Sequence, residues 1–163
     1  MNYLKKLLRG FLPQNFINNF YHLPKAVLAN LFYGFPTRGL KVVGVSGTDG
    51  KTTTVNMIYQ ILKASSKKAS MVSSINAVIG GKNYDTGFHV TSPDPFKVQQ
   101  FAKQATQNGD EYLVLEVTSH ALDQHRFWGM KFEVGVITNI THEHLDYHKT
   151  FDSYFNTKVS LLK

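Results

Sequence analysis

The chain has 163 residues and a mass of 18.4 kDa, with 42% hydrophobic and 18% charged residues. This composition is typical of one folded domain and excludes disordered, collagen-like and low-complexity proteins. Cysteine is absent, which excludes a disulfide scaffold, a thiolate zinc site and a cysteine nucleophile, and no run reaches the roughly 18 apolar residues of a membrane-spanning helix.

The positive charge is concentrated at one end of the sequence. The first acidic residue is Asp49, and six Lys or Arg residues precede it, whereas the remaining twelve basic and eleven acidic residues nearly cancel. We predict that residues 1–39 form a basic, aromatic-rich helical segment with breaks at Pro13, Pro24 and Pro36.

The first helix predicted in this segment has one apolar and one basic face. The apolar face comprises Leu4, Leu7, Leu8 and Phe11, and the basic face comprises Lys5, Lys6 and Arg9. Such a helix can pack on the following domain or mediate self-association, which is the favoured interpretation, or make weak contact with an anionic membrane through residues 1–36. Nucleic acid is not an expected partner, because the aromatic residues do not follow a clear base-stacking pattern.

From Lys41 onwards, predicted strands and helices alternate. The strands are Lys41–Ser46, Met71–Ile79, Tyr112–Val117 and Val134–Thr138, and the helices are Lys51–Lys63, Pro95–Gln107 and Phe151–Leu162. This order predicts an α/β fold in which helices flank a mostly parallel sheet, over residues 40–163.

A glycine-bearing loop lies between the first of these strands and the helix that follows. Gly47 and Gly50 allow a tight turn whose N–H groups can point at phosphate oxygens, and Lys51 adds a full positive charge at the helix N-terminus. The hydroxyl of Thr52 is placed to ligate Mg²⁺. The spacing departs from the commonest phosphate-loop motif, because Val45 stands where the first glycine would fall. The loop nevertheless predicts phosphate binding.

Other candidate residues follow the later strands. Glu116 ends an apolar strand, where its carboxylate would face the crevice at the carboxyl edge of the sheet and could hold Mg²⁺ on ATP. The segment 142–148 contains three histidines and two acids, a pattern that on its own suggests a transition metal such as zinc. For His142 and His148, a loop or helix-capping role is the favoured interpretation.

Four ordered motifs resemble the central ATP-binding domain of the Mur ligase family. They are the phosphate loop Gly47–Thr53, Thr91–Pro95, Glu116–Gln124 and Thr138–His148. Within the family the resemblance is greatest to the enzymes that add the third residue to the peptidoglycan stem peptide. It covers about residues 40–163.

The resemblance implies a set of site residues. The nucleotide would contact Gly47, Thr48, Asp49, Gly50, Lys51, Thr52, Thr53 and Asn139. One Mg²⁺ would be held by Thr52 and Glu116, and a second by His144 and by Lys158 after its carbamylation, with Lys51, His144 and Lys158 acting in catalysis. The muramoyl-peptide substrate would contact Thr91, Ser92, Thr118, Gln124 and Arg126, although relatives usually have serine at position 118. The Arg126 guanidinium can bind a carboxylate or phosphate in bidentate fashion.

The implied function is that of a cytoplasmic, ATP-dependent ligase of peptidoglycan precursor synthesis. Such an enzyme forms an acyl phosphate on a UDP-MurNAc-dipeptide, which an amino acid then attacks. We expect the chain to be a fragment that lacks the C-terminal domain and does not ligate by itself. The alternatives are another Mur-like ligase, such as a lipid II-modifying subunit coupled to an amidotransferase or a folylpolyglutamate synthetase, and a basic membrane-surface module.

Overall fold

A computed structural model describes residues 13–85 and 93–163. In these ranges, six strands form one sheet in the order β4-β3-β2-β5-β1-β6. The strands are β1 (Lys41–Ser46), β2 (Ala69–Val72), β3 (Asn76–Ile79), β4 (Lys82–Asp85), β5 (Tyr112–Glu116) and β6 (Phe132–Ile137). The four strands β2, β5, β1 and β6 run parallel, and β3 and β4 extend the sheet in antiparallel fashion. The predicted α/β fold with a mostly parallel sheet is confirmed.

Helices cover both faces of this sheet. They are α1 (Gln14–Ile17), α2 (Leu23–Tyr33), α3 (Lys51–Ala64), α4 (Pro95–Gln107), α5 (Ser119–Asp123), α6 (Leu145–His148) and α7 (Phe151–Val159), which a 3₁₀ turn extends to Leu162. Successive side chains of a strand point to opposite faces. In β5, Leu113 and Leu115 therefore join the core beneath α4, whereas Val114 joins the core beneath α3.

The predicted strand Met71–Ile79 is wrong as a single element. Ser73 turns the chain so that β2 and β3 form an antiparallel pair, with Met71 opposite Val78. The Ser73 hydroxyl accepts a hydrogen bond from the Asn76 N–H at 3.2 Å, and the Ser73 N–H donates to the Asn76 carbonyl at 2.8 Å. An apolar run does not reveal such a turn, because the serine hydroxyl that stabilises it interrupts the run only briefly.

The described part of the N-terminal segment packs on the domain. Ala26, Ala29 and Asn30 of α2 are buried, and the Asn30 side chain donates to the Trp128 carbonyl at 2.7 Å. Lys25 forms an ion pair with Asp94 at the start of α4. The proposed amphipathic helix at residues 4–12 lies outside the described residues.

The expected helix break at Pro24 is wrong, because the helix continues through it. A π-helical turn, Asn18–His22, joins α1 to α2, and the proline occupies the first turn of α2. Proline lacks an N–H group, so the wider turn before it accommodates the missing hydrogen bond without ending the helix. None of the helices in the two described ranges combines the length and apolarity needed to cross a bilayer.

Candidate nucleotide and metal site

Four parallel strands bring their carboxyl ends to one edge of the sheet. The loop 47–50 follows β1, Ser74 follows β2, Glu116 ends β5 and Thr138 follows β6. The carboxyl edge of a parallel sheet is where ligands bind in open α/β folds. The sheet therefore brings together residues that are far apart in the sequence, as in the bond from the Thr48 N–H to the Asn139 side chain, 91 positions away.

The phosphate loop joins β1 directly to α3, as the sequence predicts. Gly50 adopts a left-handed conformation with φ +78° and precedes Lys51, the first residue of the helix. The Lys51 ammonium folds back over the loop and donates to the carbonyls of Gly47 at 3.0 Å and Thr48 at 2.6 Å. A flexible cation held over a helix N-terminus suits an anionic oxygen of a phosphate group. Thr53, on the first turn of α3, is exposed.

Gly47 is the point where the loop approaches the chain that follows β6. Its φ is +150°, and a Cβ atom there would lie 1.8 Å from the Thr138 hydroxyl oxygen. That hydroxyl donates to the Asp49 carbonyl at 2.7 Å. Glycine is needed here both for the backbone conformation and for the space that the threonine occupies.

Asn139 fixes the shape of the phosphate loop from this same side. Its side-chain oxygen accepts hydrogen bonds from the N–H groups of Thr48 at 3.2 Å and Asp49 at 2.9 Å. The Thr48 hydroxyl accepts from the Thr141 N–H at 2.9 Å and contacts the Tyr154 hydroxyl at 3.0 Å. Asn139 therefore contacts the phosphate loop. The contact of Asn139 with the nucleotide, which the family resemblance implies, stays a prediction.

Thr52 and Glu116 come together at the base of the loop. The Thr52 hydroxyl donates to Glu116 Oε2 at 2.9 Å, and the Ser74 N–H donates to the same oxygen at 2.9 Å. The Glu116 residue is only 3% exposed. A carboxylate oxygen beside a hydroxyl oxygen is a ligand set that Mg²⁺ prefers, so these residues fit the implied first metal.

Lys158 is buried beneath the phosphate loop. Its residue is 2% exposed, and its ammonium donates to the Gly47 carbonyl, which also accepts from Lys51. Burial, followed by the positive charge of Lys51, lowers the pKa of Lys158 from 10.5 to about 8. A lowered pKa increases the fraction of neutral amine, which is the form that reacts with CO₂. The sequence pattern alone did not distinguish this lysine from exposed ones.

His144 lies near Tyr154, the tyrosine whose hydroxyl contacts Thr48. Its ring centroid is 6.2 Å from that of Tyr154, while the Lys158 ammonium lies 4.7 Å from the Tyr154 ring. His144 Nε2 is 3.5 Å from Glu143 Oε2, and its backbone has φ +56°. His144 and Lys158 therefore both lie near the Tyr154 ring. As an ammonium group, Lys158 has no lone pair with which to bind a metal. As a carbamate it would offer carboxylate oxygens.

The other histidines that the structure describes do not assemble a metal site. Across residues 13–85 and 93–163, no three His, Cys, Asp or Glu side chains are grouped so that they could hold a metal ion. His142 stacks on Phe151 with ring centroids 4.5 Å apart, and His148 is buried at the end of α6. His120 lies against His144 and His148, and burial followed by these neighbours lowers its pKa to about 4.

The candidate substrate residues in the described ranges lie near α5. The Arg126 guanidinium donates twice to the Gln124 side-chain oxygen, at 3.1 and 2.7 Å, so these two residues form one polar group. Burial lowers the pKa of Arg126. The Thr118 hydroxyl accepts from the Ala121 N–H at 3.2 Å and caps α5. The candidates Thr91 and Ser92 lie outside the described residues.

Sequence reasoning assigned no role to three residues that organise the site. Ser74 contacts both metal candidates, since its hydroxyl is 3.1 Å from that of Thr52. Tyr154 connects Thr48 to the surroundings of Lys158. Tyr147 donates to Asp123 at 2.7 Å, and burial together with this hydrogen bond raises the pKa of Tyr147 to about 12. Tyr154 stands four residues before Lys158 in the segment that resembles the family's Tyr-x-x-x-Lys pattern, and this spacing places both residues on one helical face.

Comparison with known proteins shows the family of this chain. Residues 45–163 match the family model described as the Mur ligase middle domain. The UDP-N-acetylmuramoyl-L-alanyl-D-glutamate–2,6-diaminopimelate ligase of Geobacillus kaustophilus is 41% identical over 133 residues, which are 82% of this chain and 27% of that protein. The ligase of the same name from Clostridium botulinum is 37% identical over 138 residues, covering 85% and 28%.

Solved structures show the same fold. A structure of a UDP-N-acetylmuramoyl-L-alanyl-D-glutamate–2,6-diaminopimelate ligase superposes with a TM-score of 0.67 at 23% identity, covering 84% of this chain and 28% of that one. E. coli FolC in complex with DHPP and ADP superposes with a TM-score of 0.56 at 18% identity, covering 84% and 38%. The chain spans about a quarter of the length of the curated relatives described above, 27% and 28%.

Proposed function

Because the chain belongs to the Mur ligase family through its middle domain, we propose that it provides the ATP and Mg²⁺ site of an ATP-dependent ligase of peptidoglycan precursor synthesis. The observation that carries this proposal is the pairing of Thr52 with the buried Glu116 at 2.9 Å, directly below the Lys51 loop. A phosphate-binding lysine next to a hard-cation site is the arrangement that phosphoryl transfer requires.

In the proposed reaction, ATP phosphorylates the free carboxylate of a UDP-N-acetylmuramoyl-dipeptide, and the amine of an amino acid displaces phosphate from the acyl phosphate. Lys51 leaves the carbonyls of Gly47 and Thr48 to neutralise charge on the phosphate groups. Thr52 and Glu116 would hold Mg²⁺, which supplies charge neutralisation and orients the phosphate oxygens. His144 and a carbamylated Lys158 would hold a second Mg²⁺.

The substrates are inferred from the names of the relatives. Both curated relatives are ligases that join 2,6-diaminopimelate to UDP-N-acetylmuramoyl-L-alanyl-D-glutamate. That nucleotide dipeptide and that amino acid are therefore the first pair to test. Gln124 and Arg126, with their joined side chains, supply a guanidinium that suits a carboxylate of the dipeptide.

Nucleotide binding by the chain tests the proposal without requiring ligation. Isothermal calorimetry with ATP and Mg²⁺ should detect binding that Lys51→Ala weakens about 10- to 100-fold, the equivalent of a charge-assisted hydrogen bond worth about 1.5–3 kcal/mol. The control is Lys63→Ala, since Lys63 is exposed at the other end of the same helix. Equal ATP affinities for the parent chain and Lys51→Ala would refute the proposed nucleotide site.

The carbamylation proposal has its own measurement. In a ligation assay with the protein that carries this chain, Lys158→Ala should lose activity, and added short-chain carboxylic acids should restore part of it by supplying the missing carboxylate. Lys149→Ala is the control. Lys149 is exposed, and its ammonium donates to the Asp146 carbonyl at 2.8 Å. Full activity of Lys158→Ala would contradict the carbamylation role.

A further inference from the structure

An apolar stripe runs along the outer face of the N-terminal helix. The π-helical turn and the two helices it joins are continuous from Gln14 to Tyr33, a length of about 30 Å at 1.5 Å per residue. The stripe consists of Phe16, Phe20, Pro24, Leu28, Leu31 and Phe32, which follow one another at spacings that keep them on one side of a helix. All six residues are exposed.

The exposed stripe is more apolar than the side of α2 that packs on the domain. The face that α2 turns to the domain carries the small or polar residues Ala26, Ala29 and Asn30, whereas Phe20 is 70% and Phe32 is 75% exposed. Leucine and phenylalanine in a contiguous exposed row mark a surface that binds a partner. Phe16 and Phe20 stack on each other with ring centroids 4.4 Å apart, so they form one continuous apolar patch.

The charge of this region identifies the partner. The first 48 residues contain six Lys or Arg residues and no Asp or Glu. A second copy of the chain would bring the same excess of positive charge, which the ion pair of Lys25 with Asp94 offsets only in part, to a two-fold interface, where it would repel. A nucleic acid would attract the charge, but Pro24, Leu28 and Leu31 interrupt the aromatic residues of the stripe, so bases would find no continuous row of rings on which to stack.

From these observations we infer that the apolar stripe lies in the interface of an anionic membrane, to which the positive charge of the N-terminal segment attracts the chain. Apolar side chains buried about 5–10 Å into the headgroup boundary, combined with attraction of Lys and Arg to anionic lipid, produce reversible surface binding. The contacts of Asn30 with Trp128 and of Lys25 with Asp94 would hold the helix on the domain while its stripe faces the lipid. This inference is independent of the proposed ligase activity.

Co-sedimentation with lipid vesicles tests the inference on the full chain. Vesicles of phosphatidylcholine alone are compared with vesicles of equal parts phosphatidylcholine and phosphatidylglycerol, at about 0.1 M and about 1 M salt, where the Debye length falls from about 10 to about 3 Å. The chain should sediment with the anionic vesicles at low salt and be released at high salt. Failure to sediment, or equal sedimentation with both vesicles, would overturn the inference.

Two matched pairs of variants test whether vesicle binding depends on the stripe and on the N-terminal basic residues, rather than on any exposed apolar residues or any positive charges. The stripe variant F20S/L28S/F32S should lose vesicle binding, whereas M57S/I61S/I75S, which alters three similarly exposed apolar residues near α3, should retain it. The charge variant K5Q/K6Q/R9Q should bind about 100-fold more weakly, at about fivefold for each basic residue. Its control, K63Q/K67Q/K68Q, removes the same charge from exposed positions elsewhere and should bind nearly as the parent chain.

A fluorescence measurement keeps the test valid if a serine variant unfolds. Phe20→Trp should show a blue shift on addition of anionic vesicles beyond that of the parent chain, and Ile75→Trp should show none. Equal loss of binding in both apolar triple variants would overturn the inference. So would a dimer, found by sedimentation velocity without lipid, that F20S/L28S/F32S abolishes, because the stripe would then be an interface between copies.

Discussion

Replacing Gly47 by alanine is the most direct test of how the phosphate loop is built. The new Cβ atom would lie 1.8 Å from the Thr138 hydroxyl, so Thr138 must move and its 2.7 Å bond to the Asp49 carbonyl must break. Backbone strain at φ +150° costs about 1–3 kcal/mol, the lost hydrogen bond about 1 and the overpacking about 1–3. We therefore expect Gly47→Ala to lower the free energy of unfolding by about 3–7 kcal/mol.

The control for this substitution is the other glycine of the loop. Gly50 has φ +78°, but a Cβ atom there would meet nothing within 4 Å. Gly50→Ala should therefore cost only the left-handed conformation, about 1–2 kcal/mol. Urea unfolding followed by circular dichroism measures both values, because the free energy of unfolding falls linearly with urea concentration.

A double variant separates the clash from the backbone strain. In a Thr138→Ala background the hydroxyl is gone, so Gly47→Ala should cost less than in the parent chain, with a coupling energy of about 1–3 kcal/mol. Equal costs for Gly47→Ala and Gly50→Ala, or strict additivity with Thr138→Ala, would refute the reasoning that close contact with Thr138 requires glycine at position 47.

Three further predictions concern individual side chains. The pKa of Lys158 is lowered to about 8, so between pH 8 and about 10.5 the unfolded chain binds more protons than the folded chain. The free energy of unfolding should therefore rise with pH over that range in the parent chain, but not in Lys158→Met. Ser74→Ala removes the hydroxyl beside Thr52, so a titration of ATP binding against Mg²⁺ should require a higher Mg²⁺ concentration. Ser65→Ala, at the exposed far end of α3, should not change it. Thr118→Ala should lower the free energy of unfolding by about 1 kcal/mol through loss of the α5 cap, and Thr118→Ser should keep it.

Each of these predictions has a clear contrary result. Parallel stability curves for the parent chain and Lys158→Met between pH 8 and 10.5 would mean that burial does not perturb this lysine. Unchanged Mg²⁺ dependence in Ser74→Ala would leave Ser74 with only a structural role in the turn after β2. Equal stabilities of Thr118→Ala and Thr118→Ser would show that the hydroxyl does not cap α5.

The order of strands and helices was predictable because local sequence determines it. The β-branched run Lys41–Ser46 is β1 without change, and Pro95–Gln107 is α4 without change, since Asp94 caps its start and Asn108 follows its end. The short helices α5 and α6 were not predicted. They have five and four residues, too few to show a helical period.

The site was predictable to the extent that a motif or a strand end defined it. The pairing of Thr52 with Glu116 follows from the phosphate loop and from the parallel register of β1 and β5. The contact of Ser74 with Glu116 depends on where the turn after β2 lies, and the burial of Lys158 depends on how α7 packs. Both are tertiary facts, because the residues of these contacts lie 42 and 111 positions apart.

The hydrogen bonds within the phosphate loop reduce the net enthalpy that we expect when a phosphate group binds. The N–H groups of Thr48 and Asp49 already bond to Asn139, and the Lys51 ammonium already bonds to two carbonyls. A phosphate that enters the loop and takes the Lys51 ammonium therefore exchanges one acceptor for another. The net enthalpy of binding is a difference between two sets of hydrogen bonds, so it should be small for the number of contacts that the phosphate makes. The loop keeps its shape before and after the exchange.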